Sequence, residues 1–405
     1  MRAGEDFSGK VQSMSRYSFN PWYKEEPDWS GEEFAFLSRD DMLPFHRSLP
    51  GYAPTPLVTL PGLAARLGVK EILVKDEARR FGIKAFKALG ASYAIYSFLK
   101  KEWENRFDTP FTPELFQDKK AMDRLGSFTF CAATDGNHGK AVAWTAGRLG
   151  QKAVIYMPDD TAQARIDAVT MEGAKVELAG RTFDDCVERC TRDARTNGWQ
   201  EIADPAYPGY MDIPRSIVLG YSSIFRELEL SINGPETPAV DAVFLPAGVG
   251  GLASAGVSYY TRRYGKKRPR LVCVEPAESD CFLESVLTGG GEPVFTKGNQ
   301  LSIMAGLNCG MPSLVAWPIM KDACDLFLAV PDDYVAPAMR AYYEEGVTSG
   351  ESGAAALAGL LALTGEPGLE EAVARLGLCS NSRILLINSE GDTDPVNYKA
   401  VVGMR

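Results

Sequence analysis

The sequence predicts an α/β protein built on parallel sheets, and three observations carry that reading. From residue 71 onward, short apolar runs alternate with longer helical patterns, the rhythm of parallel strands covered by helices on both faces. The chain has 405 residues, 45% apolar and 24% charged, which is ordinary globular usage and enough for two to three domains at about 150 residues each. Finally, four polar, mostly glycine-rich segments follow directly on apolar runs. Those are strand carboxyl ends, where ligands gather in such folds.

Taken in order, residues 1–50 are polar and aromatic, with Pro21, Pro27 and Pro44 and no sustained period. They read as an arm that packs on the body or on a partner subunit. Strands are predicted at Glu71–Lys75, Ser127–Ala132, Lys152–Met157, Lys175–Leu178, Ala242–Leu245, Leu271–Val274, Leu326–Val330 and Ile384–Ile387. Helices are predicted between them at Ala88–Lys100, Gly139–Leu149, Ala162–Glu172, Phe183–Arg195, Ser216–Leu230 and Ala336–Glu345. No internal repeat or low-complexity segment interrupts this alternation.

Composition excludes several function classes. The 43 basic residues against 53 acidic ones give a net charge of −10, which argues against nucleic acid or an anionic membrane as partner. With only His46 and His138, no zinc site built on several histidines is available. The eight cysteines are scattered. The tightest pair, Cys186 and Cys190, has no second pair to complete a metal site, so they read as reduced core residues. Spacing leaves open whether Cys281 and Cys309 can pair. The first ten residues hold Glu5 and Asp6 and no apolar run, unlike a signal peptide. The apolar stretches near residues 245–260 and 354–363 are too short or too glycine-rich to span a bilayer, so a cytoplasmic location is expected.

The first chemical segment runs from Val74 to Gly90 and ends Ala85-Phe86-Lys87. A lysine in the first helical turn opposes the macrodipole. It is either solvated or a desolvated amine of the kind that forms Schiff bases. In Ala133-Thr134-Asp135-Gly136-Asn137-His138-Gly139, a strand gives way to a polar turn and a helix. Asn137 could cap that helix or, with the glycines, wrap a polar ligand, and His138 reads as a packing or supporting residue. In Pro246-Ala247-Gly248-Val249-Gly250-Gly251-Leu252-Ala253, main-chain N–H groups at a helix start suit a phosphate. The same spacing, with Glu275 beyond it, also fits a dinucleotide fingerprint. In Ile387-Asn388-Ser389-Glu390, a buried strand delivers a hydroxyl or simply turns.

Together, and in this order, the four segments resemble the fold-type II pyridoxal-phosphate enzymes, the group of threonine dehydratase, serine racemase and tryptophan synthase β. The resemblance runs from Thr55-Pro56-Leu57 to about Pro395. Within that group the chain is similar to the diaminopropionate ammonia-lyases, on Arg80–Lys87, Ala133–Gly139, Ala203-Asp204 with Gly209-Tyr210, Ile303–Leu307, Gly350–Ala354 and Glu390–Asp394. Asp135 stands where racemases and many dehydratases carry serine, and Ala85 precedes Phe86 where Ser-Phe is common.

The resemblance implies two doubly wound parallel-sheet domains with pyridoxal 5'-phosphate in the cleft between them. The large one is expected at residues 1–91 and 207–405, the small one at 92–206, in a homodimer. Lys87 would hold the cofactor and act as a base on one face. Asn137 would meet the ring 3-hydroxyl, and Gly248, Val249, Gly250, Gly251 and Leu252 the phosphate. Ser389 would face the pyridine nitrogen, where a neutral hydroxyl suits loss of a β-substituent. Asp135 and Asp204 would meet the substrate's amino groups and move protons; a plain turn residue before Pro205 is the alternative for Asp204. The implied reaction converts 2,3-diaminopropionate of either hand to pyruvate and ammonia. A serine or threonine dehydratase and a non-catalytic nucleotide-binding protein are the competing readings.

Overall fold

The computed structural model describes residues 14–134, 136–232, 234 and 236–403. Eleven strands are described: β1 (Arg16–Phe19), β2 (Leu57–Thr59), β3 (Glu71–Asp76), β4 (Thr129–Ala133), β5 (Lys152–Met157), β6 (Lys175–Leu178), β7 (Gln200–Glu201), β8 (Ala242–Pro246), β9 (Arg270–Pro276), β10 (Leu326–Val330) and β11 (Arg383–Asn388). They form a seven-stranded sheet, ordered β1-β10-β9-β8-β11-β3-β2, and a four-stranded sheet, ordered β6-β5-β4-β7.

The five inner strands of the larger sheet run parallel, and only the edges, β1 on β10 and β2 on β3, are antiparallel. Every residue of β8 and β10 is buried, which is why both read as unbroken apolar runs: strands covered on both faces have no polar side. The helix Ala355–Gly365 lies in the same core, buried from Ala355 to Leu363, and so shows no polar face. The smaller sheet is parallel throughout.

The chain divides into two compact units. One takes the described residues of Met1–Ala35, Pro54–Lys84 and Ile224–Arg405; the other takes Phe36–Ala53 and Ala85–Ser223. The second unit is thus wider than the span 92–206 expected from sequence. Its extra residues are held by specific contacts. The Phe45 ring stacks on Tyr96 at 4.3 Å between centroids, and a ring nitrogen of His46 meets the Leu89 carbonyl at 3.0 Å. Within the described part of residues 1–50, β1 packs on the body as an edge strand of the larger sheet, and residues 36–53 belong to the other unit.

A buried charged cluster fixes the turn after β3. Arg80 donates to Glu77 and Glu227, and Lys75 Nζ donates to Glu227 at 2.5 Å and to the Thr55 carbonyl at 2.8 Å. All four charged side chains are almost fully buried. Removing one partner of such a set leaves an uncompensated buried charge and costs about 3–5 kcal/mol. The turn itself holds Phe81 at φ +48° and Lys84 at φ +64°, left-handed conformations that disfavour side-chain-bearing residues and persist only where the surroundings enforce them.

Candidate active site

In the unit with the four-stranded sheet, Lys87 is the first residue of the helix Lys87–Arg106. The unfavourable potential at the helix start is met by a carboxylate: Lys87 is ion-paired to Asp204, with both side chains mostly buried. The Phe86 and Tyr221 rings lie 5.3 and 5.9 Å from its nitrogen.

Asp204 sits just beyond β7, and three elements converge on it. Lys87 Nζ faces Oδ2, His138 Nδ1 stands 3.4 Å from the same oxygen, and the Tyr221 hydroxyl donates to Oδ1 at 3.1 Å. Burial alone would raise the carboxyl's pKa. The charges of His138 and Lys87, with the hydrogen bonds from Lys87 and Tyr221, outweigh it and hold Asp204 down to about 2. Asp204 is therefore an anion at neutral pH. His138 is oriented through its other nitrogen, for Nε2 lies 2.6 Å from the Ile202 carbonyl and must carry the proton there. It supports the carboxylate, in keeping with its sequence reading.

Tyr210 fixes the backbone that carries Asp204. Its hydroxyl donates to the Glu201 carbonyl and accepts from the Ala203 N–H, both at 2.9 Å. Asn137 opens the helix Asn137–Arg148 from inside its first turn, with Gly136 in the cap position. Its side chain is therefore not the cap. Asp135 lies outside the described residues.

In the other unit, β8 runs into the glycine turn and the helix Gly251–Tyr264. Gly250 caps that helix at φ +93°, with no side-chain hydrogen bond. A Cβ there would lie 2.3 Å from Phe282 Cζ, so glycine is required by conformation and by space. First-turn N–H groups have no intrahelical acceptor, and a glycine cap offers no side chain to cover them, so the segment fits a phosphate. The Val249 carbonyl accepts from the Ser313 N–H at 3.0 Å and anchors the turn. Cys281 and Cys309, not joined by a disulfide, flank Gly248.

Glu275 removes the dinucleotide reading. Its carboxylate is fully buried and accepts the Phe282 and Leu283 N–H groups at 2.8 and 2.9 Å. It caps a neighbouring helix and is not presented to a ribose. Ser389 follows β11 and is buried, its hydroxyl 3.4 Å from the Ser352 carbonyl. Lys84, the lysine nearest Lys87 in sequence, pairs with Asp392 at 2.8 Å and is 44% exposed.

Sequence reasoning missed Tyr221 and the Arg80–Glu227 cluster. The signal for Tyr221 was available in Gly90 and Gly220, glycines inside helical patterns that mark a close crossing.

Among the described residues, no helix is long and apolar enough to cross a membrane. Residues 49–376 match the model of the pyridoxal-phosphate dependent enzyme family. A diaminopropionate ammonia-lyase of Salmonella typhimurium strain LT2 is 34% identical over 406 residues, covering 97% of this chain and 98% of the relative. Two crystal structures of the Escherichia coli diaminopropionate ammonia-lyase superpose on it, one in complex with an aminoacrylate-PLP azomethine reaction intermediate and one with D-serine. Each has a TM-score of 0.82, 34% identity and 96% coverage of both chains. The chain belongs to the pyridoxal-phosphate-dependent enzymes of fold type II and, within them, to the family of the diaminopropionate ammonia-lyases.

Proposed function

We propose that this enzyme eliminates the β-amino group of 2,3-diaminopropionate, of either hand, yielding pyruvate and two molecules of ammonia. The observation that carries the reading is the anionic Asp204 beside Lys87. A diamino acid brings one more positive charge than serine or threonine, and a buried carboxylate favours that charge. The crystallisation of the E. coli relative with D-serine supports a site open to the D configuration.

Pyridoxal phosphate, when bound, supplies the electron sink for the α-carbon. Lys87 would hold it, Asn137 would hydrogen-bond its ring hydroxyl, and the N–H groups of Gly248 to Leu252 would take its phosphate. Ser389 would stand at its ring nitrogen. With the α-amine committed to the cofactor, Lys87 would take the α-proton on one face and Asp135 on the other. Asp204 would hold the β-nitrogen in its ammonium form, and a protonated amine is the better leaving group. Water then converts the released enamine to pyruvate and the second ammonia, so one water is consumed per turnover. The family resemblance further supports a homodimer in the cytoplasm, and sedimentation at twice 44.1 kDa would check the dimer.

A substrate panel with pyruvate and ammonia detection tests the function. D- and L-diaminopropionate should turn over far faster than serine or threonine. Faster turnover of serine or threonine would make the chain a dehydratase.

A further inference from the structure

We propose that Tyr221 is a positioning residue for Asp204, its hydroxyl holding Oδ1 so that Oδ2 is presented to Lys87, His138 and the substrate's amine. The inference rests on the role given to Asp204 above. It stands on the way two helices meet. Tyr221 lies on the helix Asp212–Glu229, which crosses the Lys87 helix backbone to backbone. A Cβ on Gly220 would lie 2.4 Å from the Leu89 carbonyl oxygen, and one on Gly90 would lie 2.5 Å from Tyr221 Cε1. The Tyr221 ring thus occupies the space that Gly90 leaves. It packs against Phe86 at 4.6 Å between centroids and is 1% exposed.

So placed, the ring has little freedom, and its hydroxyl ends 3.1 Å from Asp204 Oδ1. A buried phenol needs a hydrogen-bond partner. Burial, and then the charge of Asp204, push its pKa well above that of free tyrosine, so the hydroxyl is a donor at any working pH. A hydrogen bond to one oxygen favours the carboxylate plane in which the other faces Lys87 and His138. The charged or titratable side chains facing Asp204 among the described residues are Lys87 and Tyr221, from the two crossing helices, and His138 from the helix Asn137–Arg148. Tyr221 donates to Oδ1, whereas Lys87 and His138 face Oδ2.

The test uses the cofactor-loaded enzyme. Tyr221→Phe keeps the ring on Gly90 and deletes the donor. The kcat/KM for diaminopropionate should fall about tenfold to a hundredfold, the scale of a hydrogen bond to a charged group. The acidic limb of its pH profile should move to higher pH, because the carboxylate loses a donor that stabilises its charged form. Gly90→Ala, which crowds the same ring, should move that limb in the same direction. In an Asp204→Asn background Tyr221→Phe should add nothing, since two residues acting through one group are not additive. A lowered rate with an unmoved limb, or full additivity with Asp204→Asn, would show a merely structural tyrosine and overturn the inference. If Asp204→Asn is itself without effect, the role of Asp204 falls and the inference falls with it. If Asp204→Asn is impaired and Tyr221→Phe is not, only the inference fails.

Discussion

Lys87 is ion-paired to Asp204, 117 residues further along the chain. The pairing joins the start of one helix to the exit of a two-residue strand, so neither partner can be read from its neighbours. Its consequence is chemical. A lysine held against a fixed anion in a mostly buried place is presented in one direction, and under the proposed function the same anion would serve a substrate ammonium once the lysine turned to the cofactor.

Lys84 and Lys87 separate cleanly in the structure, and that gives the first prediction. Lys84 is pinned to Asp392 and partly exposed, whereas Lys87 is paired with Asp204. Lys87→Ala should abolish the visible absorbance of the lysine-bound cofactor and all turnover. Lys84→Ala should keep the absorbance. The reverse pattern in the spectra of the two purified variants would transfer the role to Lys84.

The phosphate turn gives the second. Gly250 is a poor place for a test, because φ +93° and the nearness of Phe282 would strain any side chain there. Val249 is not held at a positive φ. Val249→Asp adds a negative charge beside the turn without forcing the backbone. Cofactor affinity, followed by titration of the apoenzyme, should fall at least about tenfold, as expected for like charges close together in a partly desolvated site. Thermal unfolding of the apoenzyme should change little. An unchanged titration would move the phosphate elsewhere.

What was legible in the sequence follows from what is local. β5, β6 and β10 have the predicted bounds, because each is an apolar run or alternation with abrupt polar flanks. β1, β2 and β7 escaped notice: they are two to four residues long, and none has burial on both faces to write an apolar run. The helix Gly251–Tyr264 is buried on nearly every side, so it carried no 3.6-residue period. At the site, Lys87, Asn137, Asp204 and the glycine turn were legible as candidates because each stands in a local motif. Tyr221 was not, because its function depends on where two helices cross. Glu275 fits a dinucleotide fingerprint by spacing alone, because spacing reports distance along the chain but not burial.

Tyr210 yields the third prediction. Its hydroxyl satisfies the Glu201 carbonyl and the Ala203 N–H at once. Tyr210→Phe leaves both without that partner, a loss of about 1–3 kcal/mol, and loosens the backbone immediately before Asp204. The variant should unfold at a lower Tm and show reduced kcat/KM for diaminopropionate. A lower Tm with unchanged kcat/KM would mean that Asp204 is placed by its side-chain partners alone.

The last prediction concerns Asp135 and the hand of the substrate. If Lys87 takes the α-proton from one face of the cofactor, the opposite enantiomer presents its proton to the other face and needs a second base. A carboxylate serves better than the serine of related racemases: its unperturbed pKa is about 3.9, whereas an unactivated hydroxyl does not titrate in a useful range. Exclusion of water on substrate binding would raise that pKa towards neutrality and strengthen the base. Asp204, held down to about 2, is a weak base near neutral pH, so the second base proposed above is Asp135. Asp135→Asn preserves shape and removes the base. Turnover of D-diaminopropionate should fall by about a hundredfold or more, the usual scale of a lost general base, while the L-isomer, served by Lys87, loses far less. Measured side by side with both isomers, equal losses, or none, would leave Asp135 as a turn residue and refute the two-base arrangement.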